Sequence, residues 1–303
     1  MTIANKLVLL QDDIVNARNA IVAKGGTITS DGGSSQLAQD IATIPSGMTG
    51  IPRGVDENGV YGYPTSLFSF ELPSNAQSLE SGTLRRAFSG CATITSVDLS
   101  SLVEISGTET MESFCRDCTN LVSVDLSSLT TVNGASVLEN GFRGANITGS
   151  LDLSSLQTVS GAAAMSYAFM DNPGITSLDL SGLTSLPSNS VTMAGAFSMT
   201  LDQESPLPLS TVSFTSLSLI NGTAPLRSIF AKRNGLQNVY FPALNSNSFG
   251  NLTTYLDNII KDVDGCTVHF PSNMQAIIGN WTSVQNGFGG TNTTVLFDLP
   301  ATN

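Results

Sequence analysis

Four aspartates recur at a period of 27 residues: Asp98, Asp125, Asp152 and Asp179. Each follows a serine by two positions (Ser96, Ser123, Ser150, Ser177). If the segments that carry them stack, neighbouring carboxylates lie about 4.8 Å apart at the backbone. Such a column reads in two ways. It is a solvated face that keeps a sheet soluble and blocks edge pairing, or it is a strip for a cation, an amine or the hydroxyls of a glycan. Like charges at that spacing repel, so each carboxylate is expected to raise its neighbour's pKa. Sugar sites usually set an aromatic platform beside such groups, and the repeated phrase contains none. Paired carboxylates also carry out glycoside hydrolysis. A catalytic pair is singular, however, whereas this one repeats, and enzyme activity is not expected.

Three other groups invite chemistry. Cys115-x-x-Cys118 has the spacing of half a zinc site, but the remaining cysteines are Cys91 and Cys266, and zinc needs four ligands, usually as two such pairs. Cys91 and Cys118 stand 27 residues apart, which favours repeated core thiols over a metal or a disulfide. The single His269 falls at the outward position of Val268-His269-Phe270, equivalent to the aspartate column, and no nucleophile motif such as G-x-S-x-G accompanies it. Arg85, Arg86, Arg116 and Arg143 cluster beside recurring phenylalanines. They are expected to give the wall opposite the aspartates a basic character. No cofactor and no metal is expected.

The elements that position these residues follow from the repeat. The aspartates lie in a phrase stated four times, Ser96-Val97-Asp98-Leu99-Ser100-Ser101-Leu102 and its copies from 123, 150 and 177. A fixed period of this length marks a solenoid. Alternation within the phrase turns Val97 and Leu99 inward and Ser96 and Asp98 outward, and stacked copies bury a continuous core. Phe88, Phe114, Phe142, Phe169 and Phe197 are expected to fill that core from the opposite wall. Their spacings of 26, 28, 27 and 28 suggest that this wall tolerates a residue more or less.

The run Thr83-Leu84-Arg85-Arg86-Ala87-Phe88-Ser89-Gly90-Cys91, continuing to Val97-Asp98-Leu99, resembles the BspA-like leucine-rich repeat. The likeness is good over residues 83 to 200. It implies a leucine-rich-repeat-like parallel β-sheet coil of horseshoe type, with loops or short helices on the other face, used as a binding surface. It also implies buried cysteines at the Cys91 and Cys118 positions. Proteins of that kind are best known as surface adhesins.

The expected organisation is residues 1–48 as a helical attachment segment, 49–82 as linker and capping strand, 83–200 as regular repeats, and 201–303 as degenerate repeats with a cap. Leu7, Leu10, Ile14, Ala17 and Ile21 are spaced as an apolar helical seam, and Gly25-Gly26 ends it. This segment resembles the N-terminal helices of phage and prophage tail or surface proteins. Degenerate strands are expected at Phe68–Pro73, Val239–Pro242, Val268–Pro271 and Leu296–Pro300, where proline closes each one. Short helices are expected at 252–261 and 272–281, and a long loop at 201–230.

Composition narrows the partners. The 303 residues carry a net charge of −12, with 12 Lys and Arg against 24 Asp and Glu, which argues against nucleic acid. Leu7-Val8-Leu9-Leu10 is too short for a secretory core, and no stretch approaches a membrane span. An adhesin-like chain with no export signal is expected to leave the cell in a phage particle. The expected protein is therefore a non-enzymatic virion component that docks on other virion proteins through residues 1–48. It would meet a host-surface protein or glycan with its solenoid and form a homo-oligomer, with a trimer expected from fibre habit. A bacterial, prophage-encoded adhesion protein outside the virion is the alternative.

Overall fold

The computed structural model describes residues 54–55, 61–62 and 69–302, the last range without 73, 75, 188–190, 202–204, 222–223, 246–247, 249–255, 257 and 279–287. The chain divides into two compact units, Met1–Tyr63 and Pro64–Asn303. In the first, β1 (Gly54–Val55) pairs antiparallel with β2 (Tyr61–Gly62). The seam residues Leu7, Leu10, Ile14, Ala17 and Ile21 lie outside the described residues.

The second unit is a parallel β-solenoid with three walls. The first wall carries the repeated phrase: β3 (Ser69–Glu71), β5 (Ser96–Asp98), β7 (Ser123–Asp125), β9 (Gly149–Asp152), β11 (Ile175–Asp179), β13 (Thr211–Ser213), β15 (Asn238–Tyr240), β16 (Thr267–Pro271) and β17 (Thr294–Leu299). Its ladders group as β3-β5-β7, β9-β11 and β13-β15-β16-β17. The second wall is a six-stranded sheet of β4 (Ser78–Leu79), β6 (Glu104–Thr108), β8 (Thr131–Ala135), β10 (Thr158–Ser160), β12 (Ser185–Leu186) and β14 (Leu219–Ile220). A leucine-rich-repeat coil predicts loops or helices there. The signal was in the chain: Glu104-Ile105-Ser106-Gly107, Thr131-Val132-Asn133-Gly134 and Thr158-Val159-Ser160-Gly161 repeat at the same period. Ile105, Val132 and Val159 point inward and are fully buried, so each short strand has the half-buried alternation that a sheet needs.

The third wall is built of turns. Amides of Gly82, Leu84, Arg86, Phe88 and Gly90 donate to Thr108, Thr110, Glu112, Phe114 and Arg116 carbonyls in the next coil. The intervening amides of Thr83, Arg85, Ala87, Ser89 and Cys91 donate to carbonyls three residues back. Every second turn then has a left-handed third residue, such as Arg86 (φ 52°), Ser113 (54°) and Asn140 (54°). Between coils the donors point toward the C-terminal end and the acceptors toward the N-terminal end. No backbone amide in this stretch is left bare, which a buried wall requires.

Hydrogen-bond register explains the uneven spacing of the phenylalanines. Phe88 donates to Phe114, but Cys115 donates to Gly141 and Phe142 to Ala168. Phe88, Cys115, Phe142 and Phe169 are therefore equivalent, and Phe114 sits one place earlier, where its neighbours carry Ala87 and Gly141. The 26 and 28 spacings on either side of Phe114 reflect a swap of Phe and Cys, whereas the 28 from Phe169 to Phe197 is one real extra residue, since Phe142 donates to Ala168 but Phe169 to Ala196. All five rings are buried and form one spine, with centroids 5.3 Å apart for Phe88–Phe114 and for Phe142–Phe169.

The C-terminal region departs from expectation twice. Residues 211–220 are not loop: β13 pairs with β15 and β14 with β12. The extra length is confined to a stretch clamped at Thr200, whose amide and hydroxyl reach Asp171 (2.6 Å each), and at Leu207, whose amide reaches Asn234 (3.1 Å). Of the helix expected at 252–261, residues 252–255 and 257 lie outside the described residues; Asn258 and Asp262 have φ of 54° and 59°, so residues 258–262 are turn wall and not helix. A 3-10 turn at Ser272–Met274 runs into a one-turn helix, Gln275–Ile278.

Candidate functional site

The aspartate column exists, and it builds corners. Asp98↔Asp125 and Asp152↔Asp179 are paired in register and exposed. Oδ1 of each accepts the amide two residues on: Ser100, Ser127, Ser154 and Ser181, all at 2.9 Å. These are Asx turns, and they steer the chain from the first wall into the second. At Asp98 and Asp152 the shift runs opposite to the upward one expected. The Ser100 hydroxyl and amide hold the Asp98 carboxyl below the usual range, and Ser154 does the same for Asp152. Hydrogen bonds to the charged form outweigh repulsion between neighbours that face water. Ser96, Ser123, Ser150 and Ser177 stand in the parallel outward column, which continues through Thr211, Asn238, Thr267 and Thr294.

The expected basic wall is neutralised. Arg85 meets Glu109 (2.9 Å) and Glu112 (2.8 Å), Arg86 meets Glu112 (3.1 Å), Arg116 meets Asp117 (3.3 Å), and Arg143 meets Asp171 (3.7 Å). Except for Arg116 with Asp117, each pair joins one coil to the next. Burial pushes the Glu112 carboxyl up, but Arg85, Arg86 and Ser113 outweigh it and hold it below its usual value.

Cys91, Cys115, Cys118 and Cys266 are buried free thiols. Burial drives Cys115 well above the usual thiol range and Cys266 to about 12, which keeps both unreactive. Cys118 shares its place in the coil with Asn172 and Arg233, and all three do one job. The Cys118 thiol donates to Phe88 O (2.9 Å), the Asn172 amide to Phe142 O (2.9 Å) and Arg233 Nε to Phe197 O (2.9 Å). Each satisfies a core carbonyl one coil back. Arg233 is fully buried, also donates to Asn172 O (3.0 Å), and has no partner for Nη1 among the described residues. Desolvation lowers its pKa to about 10, so it remains charged at neutral pH.

Beyond Asp179 the outward column changes character. It runs Ser213, Tyr240, His269, Leu296 in register. His269 is not an exposed counterpart of the aspartates; it is only 7% exposed. Its ring stacks on Tyr240 (centroids 4.2 Å, 15° between planes). Nδ1 meets Asp298 (2.9 Å to Oδ2) and Nε2 meets Asn238 Oδ1 (3.2 Å). Both ring nitrogens are occupied, so His269 serves as a brace across three strands and is not placed as a general base. Tyr240 was overlooked in the sequence although Asn238-Val239-Tyr240-Phe241 repeats the Ser-Val-Asp-Leu register and shows its ring as outward.

Among the described residues no cluster of His, Cys, Asp and Glu could hold a metal ion, and no helix is long and apolar enough to cross a membrane. No family model, curated protein or solved structure matches the chain.

Proposed function

We propose that this chain is a non-enzymatic recognition protein of a bacteriophage particle. In this reading residues 1–48 attach and oligomerise it, as a trimer, on other virion proteins, and the solenoid presents its first wall to a host-surface protein or glycan. The observation that carries the recognition half is the outward column Ser69–Ser96–Ser123–Ser150–Ser177–Thr211–Asn238–Thr267–Thr294. It is a column of neutral hydrogen-bonding side chains, held in register within each of the three ladders of this wall. Rigid elements hold such groups in place and lower the entropic cost of binding. The virion half rests on the apolar seam and on the resemblance of the N-terminal segment to phage tail proteins.

The test has two arms. Antibody raised against the solenoid should label particles purified from a lysate of the host strain, and the labelled full-length protein should adsorb saturably to cells of some bacterial strains. Adsorption without labelled particles would favour a prophage-encoded adhesion protein outside the virion. Absence of both would remove the proposal.

A further inference from the structure

The first wall carries a half-exposed aromatic ring whose orientation is fixed before any ligand arrives. Tyr240 lies on the outward face of β15, and the stacked His269 covers one side of its ring. His269 cannot swing away without leaving Asp298 and Asn238, so the tyrosine is held edge-out from the wall. The register partner on the other side is Ser213, whose short hydroxyl cannot cover a phenol ring. Beyond Ser213 the ladder is interrupted, because β11 and β13 belong to different sheets. On that side the neighbours of Tyr240 are hydroxyls: Ser213 Oγ lies 3.1 Å from Thr215 Oγ1, with Thr211 on the same strand.

From this arrangement we infer that the Ser213-side face of Tyr240 is the platform for one pyranose ring of a neutral glycan. A pyranose offers a patch of C–H bonds to an aromatic face and directs its hydroxyls outward at the rim. Tyrosine suits that geometry, since it presents an apolar face with a polar edge. Serine and threonine hydroxyls serve as donors or acceptors and suit sugar hydroxyls in either role. Charge selects the class. The same outward column carries Glu71, Asp98, Asp125, Asp152 and Asp179, and the whole chain bears −12, so sialylated, uronic or sulfated sugars are repelled. The inference deepens the recognition reading above and rests on it.

Full-length protein, its Tyr240→Ser, Ser213→Leu and Asp152→Asn variants, and a printed array of neutral and acidic oligosaccharides test it. The strongest neutral ligand is then titrated by calorimetry. The expected result is binding to a neutral glycan by the parent and by Asp152→Asn, with at least about a tenfold loss in Tyr240→Ser, the scale of an aromatic anchor. Ser213→Leu leaves the tyrosine and its brace in place but covers the free face, and it should lose binding to a similar degree. It carries the test if Tyr240→Ser unfolds. Binding of acidic glycans alone, of no glycan, or with undiminished affinity in Ser213→Leu would overturn the site. Cell adsorption separates the two levels. If parent and both variants adsorb equally, the glycan site falls and the recognition reading stands; if the parent adsorbs to nothing, the recognition reading itself falls.

Discussion

Gly134→Ala is the substitution that probes the stack most sharply. Gly134 is the penultimate residue of β8, with φ +133°, outside the regions open to a side-chain-bearing residue. Strain of that kind costs about 1–3 kcal/mol. A Cβ there would also fall within the van der Waals shell of the Gly107 carbonyl oxygen in the preceding coil. That neighbour is backbone and cannot rotate away, so overpacking adds about 1–3 kcal/mol. Reduced freedom of the unfolded chain returns about 0.4–1 kcal/mol. The net expectation is a loss of about 1–6 kcal/mol, centred near 3. Gly82→Ala is the control: its φ is +69°, and a Cβ there meets nothing within 4 Å. Left-handed strain of about 1–2 kcal/mol, less the same unfolded-state term, predicts a loss near 1 kcal/mol. Urea denaturation followed by circular dichroism measures both. Equal midpoints for the two variants, with unchanged slopes, would show that Gly134 does not lie against Gly107 and would refute the register of the second wall.

Two further predictions concern the core and the corners. Arg233→Ala removes a buried charge together with the donors to Phe197 O and Asn172 O, and should destabilise by about 3–5 kcal/mol. Arg233→Met keeps most of the volume and should lose less while leaving both carbonyls bare, so thermal melting should rank parent, Met, Ala. The corner carboxylates predict an acid limb. Asp98 and Asp152 titrate lower in the folded state than in the unfolded one, so the unfolded chain takes up protons first. Their contribution is complete above about pH 4 and is lost as the pH falls through the lowered folded values. Asn can accept the same amide, so Asp98→Asn with Asp152→Asn should melt near the parent temperature at pH 6 and show a flatter decline between pH 4 and pH 2.

The first wall was legible because its signal is local: strict alternation in Ser-Val-Asp-Leu, repeated at a constant period. The second wall carries the same period, but in weak residues. Thr131-Val132-Asn133-Gly134 reads as a turn on its own, and its glycine is needed for close approach between coils. The turn wall could not be foreseen from propensity, since Glu109, Ser136 and Ala163 sit at φ near 54° where glycine is the usual choice. Stacking bonds from the next coil fix those conformations. The outward aspartates were read correctly as exposed, but their bonds to Ser100 and its equivalents depend on the corner geometry. Tyr240 gains meaning only beside His269, which lies 29 residues away in the chain and one strand away in the wall.

The most direct measurement of the central claim is saturable adsorption of the full-length protein to a panel of bacterial cells, with and without Asp98, Asp125, Asp152 and Asp179 all changed to Asn. A solenoid that recognises surfaces through its neutral ladder, with the aspartates serving its corners, predicts adsorption to some strains that the fourfold change leaves within about twofold. Adsorption to no strain, or its complete loss in the fourfold variant, would contradict the account.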